Sequence, residues 1–309
     1  MEFAALLAQA KLPEPKTVAV AAAEDALVLE VLAEARRQDI ATAILCGNTT
    51  GIKALAARQD IDISSFEIID AANEYQAAAA AVRTVREGKA DMLMKGLMQT
   101  SNLLKAVLDK DNGLRGSGLI SHVSVLYSPI LDRMLFLTDG GMVTYPDLPT
   151  KIKLIENAVA VARGMGVDCP KVAVLAAVET VNPAMPATTD AALLTVMNRR
   201  GQIKGCVVEG PLAMDLAISA YAAEHKGVES PVAGQADILL FPNIEACNCV
   251  LKTFTIAGNG IFGGLVMGAA APIVLSSRGD SLQSKLYSIA CAAKISNNIW
   301  KGEYSFAKN

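Results

Sequence analysis

Residues 17–45 read TVAVAAAEDALVLEVLAEARRQDIATAIL, and this stretch decides the fold. Thr17–Val20 and Ala41–Leu45 are short apolar runs of strand length. Between them, Glu24–Gln38 repeats its apolar residues at helical spacing. Strand, helix, strand over so short a span lays two parallel strands side by side, because the chain needs the helix to cross back. The rhythm continues outward. Phe66–Ile69 and Asp91–Met94 read as further strands, with Ile52–Arg58 and the Ala-rich Glu74–Glu87 as helices.

The pattern then changes. His122–Tyr127 and Arg133–Thr138 are strand-like runs joined by Ser128-Pro-Ile-Leu-Asp132, the form of a hairpin, so the sheet is expected to be mixed there. After Tyr145-Pro-Asp147 the alternation restarts. Helices are expected at Lys151–Arg163, Asp190–Asn198, Leu212–Glu224, Ile244–Phe254 and about Ser281–Asn298. Strands are expected at Lys171–Val178, Cys206–Val208, Asp237–Phe241, Leu265–Met267 and Ile273–Leu275. The stretch 141–147 is the expected hinge between two α/β halves.

The composition agrees with buried strands. Of 309 residues, 52% are hydrophobic and only 19% charged, and the mean hydropathy is +0.35. Such values point to strands covered on both faces or to a sizeable subunit interface, hence to a homo-oligomer. Thr253–Ser277 carries no charge, but Asn259, Pro272 and several glycines interrupt it, and its most apolar part, Ile261–Leu275, is too short for a spanning helix. Glu2, Pro13 and Pro15 are unlike a secretory leader. The six cysteines are scattered and read as reduced and cytoplasmic. With two histidines and a lone Cys-x-Cys, a metal site is not expected. A formal charge of −3 argues against a nucleic-acid partner.

Gly258-Asn-Gly-Ile-Phe-Gly263 matches G-x-G-x-x-G, but a helix precedes it and a strand follows. A dinucleotide site needs the reverse order, so the glycines read as a helix-ending turn. Ser276-Ser-Arg-Gly-Asp-Ser281 lies where an apolar strand gives way to the last helix. That junction suits an anion, with Arg278 as a planar donor fork; it equally reads as plain capping, with Asp280 and Gln283 as the box. Polar groups also follow other strands: Lys95, Glu179 and Asn182, Glu209, and Asn243 with Glu245. The carboxyl edge of an open α/β sheet is where ligands bind. A lysine directly after a buried strand reads as functional, because half-burying it without an anionic partner is costly. Asn248 and Lys252, four apart, share one helix face that reads either as crevice lining or as solvated surface. His122 has no paired acid in sequence reach and reads as a core or edge residue. No cysteine sits in a recognisable nucleophile's turn.

Taken together, Met94-Lys-Gly-Leu97, Val178–Thr188, Met197–Gly205, Glu209–Asp215, Asn243–Asn248 with Lys252, and Ser276–Ser281 with Lys285 resemble the phosphate acetyl/butyryltransferase family. Val178–Thr188, Met197–Gly205 and Leu119-Ile-Ser-His-Val123 look more like the butyryl branch than the acetyl branch. The resemblance runs from about Asp91 to Ala290. It implies two α/β domains with mostly parallel sheets around a cleft, of the isocitrate/isopropylmalate dehydrogenase-like kind, with 1–143 plus 277–309 as one domain and 144–276 as the other. It implies direct transfer of a short acyl group between coenzyme A and phosphate, with no bound cofactor and coenzyme A as co-substrate. Ser277, Arg278 and Asp280 are then the expected catalytic residues, and Lys95, Asn182, Asn243, Glu245, Asn248 and Lys252 the substrate contacts. The acetyl branch resembles this pattern with a carboxylate where Ser284 stands here, which leaves the base open between Asp280 and Glu245. A dehydrogenase on the related fold and a non-catalytic acyl-CoA or acyl-phosphate binding protein are the readings of other classes.

Overall fold

The computed structural model describes residues 3–116, 118–277 and 279–298. The chain divides into two units, Met1–Gly118 with Gly263–Asn309, and Leu119–Phe262. The first opens with α1 (Phe3–Ala10), β1 (Lys16–Ala21), α2 (Ala26–Arg37), β2 (Ala41–Gly47), α3 (Thr49–Arg58), β3 (Glu67–Asp70), α4 (Glu74–Arg86), β4 (Met92–Lys95) and α5 (Thr100–Val107). The second holds β5 (Ser121–Ser128), β6 (Arg133–Thr138), α6 (Leu148–Gly164), β7 (Lys171–Leu175), α7 (Pro186–Arg199), β8 (Val207–Leu212), α8 (Met214–Ile218), α9 (Ala220–His225), β9 (Ile238–Leu240) and α10 (Ile244–Ile256). The chain then returns to the first unit through β10 (Ile261–Met267), β11 (Ile273–Val274) and α11 (Leu282–Asn298).

Local chemistry sets the element ends. Asp25, Asn48, Asn73, Asp147 and Asn243 each accept an amide hydrogen bond at the start of α2, α3, α4, α6 and α10, which satisfies donors that a helix start leaves unpaired. In the first unit the strands run in the order β3-β2-β1-β4-β11-β10. The neighbours from β3 to β11 are parallel, and β10 meets β11 antiparallel. Its central strands are apolar on both faces, as a sheet covered by helices requires: Val18, Ala19, Val20, Leu93 and Met94 are fully buried. In the second unit the order is β5-β6-β9-β7-β8. The β5–β6 hairpin is antiparallel and the remaining pairs are parallel.

Three expectations change. The divisions fall at 118/119 and 262/263, where the sequence placed them at 143/144 and 276/277; β6 hydrogen-bonds to β9, which ties the hairpin to the second unit. The stretch 141–147 therefore lies inside that unit rather than hinging two halves. The single helix expected at Leu212–Glu224 is instead the end of β8 followed by α8 and α9. Ser219 has extended backbone there, and its hydroxyl caps α9 by accepting from Ala222.

Candidate active site

In the first unit, β1, β4 and β11 end at one edge. Ala21 pairs with Lys95 and Val274 with Met94, so the chain leaving β11 passes beside Lys95 and places Ser276 just beyond it. Lys95 is 8% exposed, and its Nζ donates to the carbonyls of Gly96 at 3.3 Å and Met98 at 3.2 Å. Gly96 is a steric requirement: its N–H donates to Ala21 O at 2.8 Å, and a Cβ there would run into the carbonyl of Ala22.

The loop after β11 is held from below. Lys285, buried on α11, donates from Nζ to Ser277 O at 2.7 Å and to Ser276 Oγ at 3.1 Å. Burial pushes its ammonium below the ordinary lysine range, while the carboxylates of Asp280 and Asp25 act in the opposite direction. Asp280 is itself buried, and its Oδ2 accepts the Ser277 N–H at 2.6 Å. Ser277 is exposed. The loop thus presents the Ser277 side chain outward on a backbone pinned by one buried cation and one buried anion. Arg278 lies outside the described residues.

In the second unit the corresponding edge gathers the ends of β6 and β9 and the start of β5. Asp139, 2% exposed, accepts from three amides: His122 at 2.8 Å, Gly141 at 2.7 Å and Met142 at 2.8 Å. Sequence alone gave His122 no acid; Asp139 supplies one, directed to its main-chain N–H. A Cβ on Gly141 would lie 3.1 Å from the imidazole Cγ, and one on Gly140 would lie 3.0 Å from Cys247 Sγ, so both positions are tight. Asn248 Nδ2 donates to Gly140 O at 3.1 Å. Asn243 caps α10 by accepting from Ala246 at 2.9 Å. Glu245 accepts the Tyr145 hydroxyl, which lowers its carboxyl. Lys252 sits 5.4 Å from the Phe262 ring centroid. Asn182 stands in the exposed turn before α7, where its Oδ1 accepts from Ala184.

The structure therefore brings Lys95, Ser277 and Asp280 to one edge of the first unit, and Asn243, Glu245 and Asn248 to one edge of the second. Two groups escaped the sequence reading. Asp139 directly follows β6, immediately before Gly140-Gly141, and an acid closing an apolar run ahead of two glycines was the available signal. Tyr145 enters the sequence reading only as part of the expected hinge at 141–147. Among the described residues, no three His, Cys, Asp or Glu side chains converge as a metal site requires. Nor is any described helix long and apolar enough to cross a membrane.

Polar loops at the parallel-strand ends of an α/β chain suit an anionic ligand, and similarity to known proteins gives the family. The family model described as "Phosphate acetyl/butaryl transferase" matches residues 2–79 and 71–293. A phosphate butyryltransferase of Clostridium acetobutylicum is 48% identical over 296 residues, covering 96% of this chain and 98% of the relative. A phosphate acetyltransferase of Thermotoga maritima is 43% identical over 278 residues, covering 90% of this chain and 94% of the relative. The crystal structure of a branched-chain phosphotransacylase from Enterococcus faecalis V583 matches with a TM-score of 0.81 at 32% identity, over 91% of this chain and 99% of that one. The chain belongs to the phosphate acetyl/butyryl transferase family.

Proposed function

We propose that this protein interconverts acyl-CoA plus phosphate with acyl phosphate plus free coenzyme A, and that butyryl is its preferred acyl group. The observation that carries the reading is the 48% identity to a phosphate butyryltransferase along 96% of the chain. The pinned backbone at Ser276 and Ser277 and the adjoining Lys95 support it, because the reaction concentrates negative charge that fixed donors must offset. A phosphate oxygen attacks the thioester carbonyl carbon; the C–O bond forms, the C–S bond breaks, and the thiolate leaves and takes up a proton. Ser277 and Arg278 contact the reacting groups, and Asp280 completes the catalytic set by holding the Ser277 amide. Lys95, Asn182, Asn243, Glu245, Asn248 and Lys252 contact the substrates. Coenzyme A is a co-substrate and no cofactor is resident. In reverse the thiol must lose its proton, since at a pKa of about 8.5 only a few per cent is thiolate at neutral pH. The protein acts in the cytoplasm as a homo-oligomer, a reading supported by its scattered cysteines and apolar composition.

The acetyl reading is the second, favoured by the 43% identity to a phosphate acetyltransferase. One methylene changes binding by only about 1–3 kcal/mol, so relatives of both kinds fit one framework. Thiol release from acyl-CoAs of graded length, with and without phosphate, decides between them. Phosphate-dependent release peaking at four carbons is the expected result. A two-carbon peak replaces butyryl with acetyl, and no release from any acyl-CoA rejects the enzyme reading. In the same assay Arg278→Ala is expected to lower kcat/KM by about 100-fold or more with an unchanged melting temperature.

A further inference from the structure

Cys169 and Cys206 meet at the amino edge of the second unit's sheet. β7 and β8 are parallel, with Lys171 in register with Val207, and the Val207 N–H donates to Pro170 O at 3.0 Å. Cys169 and Cys206 therefore lie diagonally across the first rung, which puts their Cα atoms roughly 6 Å apart at ordinary strand spacing. Disulfides span Cα separations of about 4.4–6.8 Å. The surrounding backbone is held. Asn198 on α7 donates from Nδ2 to Ile203 O and to Cys206 O, each at 3.0 Å, and its Oδ1 accepts from Val208 at 3.0 Å. A Cβ on Gly205 would lie 3.1 Å from Arg163 Nη1 and 3.9 Å from Val159 Cγ1. The turn before β8 thus rests on the end of α6, the helix whose exit loop carries Cys169. The two thiols differ in access: Cys169 is exposed, whereas Cys206 is 8% exposed. Burial pushes the Cys206 thiol up to about 12, and the nearness of Cys169 adds to that push. Cys206 is closed to reagents from solvent and open only to what lies beside it. Cys249 makes the contrast. It too is exposed, but Cys247 stands two positions away on α10, a spacing that does not bring side chains together.

We infer that Cys169 and Cys206 are a reversible oxidation site, joined as a disulfide when the protein meets a hydroperoxide, with Cys169 oxidised first and Cys206 resolving it. The Cys169 sulfur attacks the peroxide: an S–O bond forms, the O–O bond breaks, and the other oxygen leaves with the thiol's proton as water or an alcohol. The Cys206 sulfur then attacks the Cys169 sulfur. The S–S bond forms, the S–O bond breaks, and the leaving hydroxide takes the Cys206 proton to become water. Two thiols and one hydroperoxide thus give one disulfide, one water, and a second water or an alcohol. The second step is intramolecular, and proximity offsets the scarcity of Cys206 thiolate. An exposed thiol beside a resolving thiol keeps oxidation at its reversible stage, whereas sulfinic acid is not recovered by thiols. The pair lies at the amino ends of β7 and β8, the edge opposite the ends of β6 and β9, so the bond leaves the candidate site unoccupied. It also ties the edge strand β8 to β7 and closes a loop through α7, which restricts the unfolded chain.

The test treats the full chain with hydrogen peroxide, alkylates the remaining thiols in guanidinium, and reads the digest by mass spectrometry before and after dithiothreitol. The expected product is a peptide pair cross-linked through Cys169 and Cys206, two hydrogens lighter than the thiols and released by dithiothreitol. Cys249 proceeds to sulfinic acid under the same treatment. The oxidised wild type has a higher urea midpoint than the reduced one, and Cys169→Ser, a substitution at an exposed position, shows no such shift. In Cys206→Ser, Cys169 goes on to sulfinic acid as Cys249 does. Wild-type Cys169 reaching sulfinic acid while Cys206 is still alkylated overturns the inference, as does a Cys169–Cys169 bond between two chains in place of the internal one. Cys169 remaining a thiol at peroxide doses that oxidise Cys249 overturns it too. If Cys206→Ser does not fold, the wild-type peptide map and the Cys169→Ser midpoint decide alone.

Discussion

Lys285 brings a charge into a buried place and directs it at two loop oxygens, Ser276 Oγ and Ser277 O. A buried ammonium is expensive unless its hydrogen bonds are met, so its retention beneath the loop needs a reason. Ordering the backbone that presents Ser277 is that reason. Lys285→Met keeps much of the volume but leaves the Ser277 carbonyl without this donor. The expected cost is about 1–3 kcal/mol of stability, read as a lower urea midpoint, with a fall in kcat/KM for phosphate larger than that loss explains. Unaltered turnover in the variant would remove the loop from catalysis. The cysteines supply a second residue-scale outcome. Burial pushes the thiols of Cys46, Cys206 and Cys291 up to about 12, and raises that of Cys247 as well. Because the thiolate is the reactive form, these four stay protonated and inert until the pH approaches those values. Cys169 and Cys249 are exposed. Iodoacetamide at pH 8 is therefore expected to label those two alone in the native protein, and all six in guanidinium, as counted by mass spectrometry. Early labelling of Cys247 would contradict its burial beside Gly140.

At the scale of elements, side-chain bonds between distant segments decide how the strand ends are set. Asn157, buried in α6, donates from Nδ2 to Leu119 O at 2.8 Å and to Ser121 Oγ at 2.7 Å, fixing the chain as it enters β5. Asn157→Ala leaves the buried Ser121 hydroxyl and the half-buried Leu119 carbonyl without that partner, and the expected loss is about 1–3 kcal/mol by urea denaturation. A neutral outcome would mean that α6 and β5 are held by packing alone. Bonds of this kind also mark the limit of what the sequence discloses. The β1–α2–β2 alternation was legible because each element declares its own period. The helices α1 and α5, eight residues each, offer too few turns for periodicity to register. The apolar run after Leu212 reads as one helix until Ser219 turns its hydroxyl to the backbone, a choice that local pattern does not reveal. In the candidate site, Lys95 was legible from its place at the end of an apolar strand, and Ser277 only through the resemblance of Ser276–Ser281 to the family's motif. Asp139 was not, since its meaning comes from an amide 17 residues earlier that only the β5–β6 pairing brings within reach.

Over the whole molecule, the two units stand on unequal terms with the chain. Leu119–Phe262 is one continuous segment, whereas the first unit is assembled from both ends. The second unit has its own core, in which Leu126, Leu137, Leu216 and Leu239 are fully buried, and every strand of its β5-β6-β9-β7-β8 order lies within the segment. The first unit depends on α11, which packs on α1 and α2 and buries Leu286, Tyr287, Ile289 and Ile295 almost completely. Removing four such side chains forfeits roughly 6–12 kcal/mol at about 1.5–3 kcal/mol each. A domain is stable by only about 5–15 kcal/mol in all, so residues 1–118 have too little left to fold without their returning segment. The fragment 119–262 is thus expected to unfold in urea as one cooperative transition followed by circular dichroism, while 1–118 shows none. If instead 119–262 fails to melt cooperatively and 1–118 does, the core of the second unit is insufficient by itself, and α11 contributes less to the first than its burial indicates.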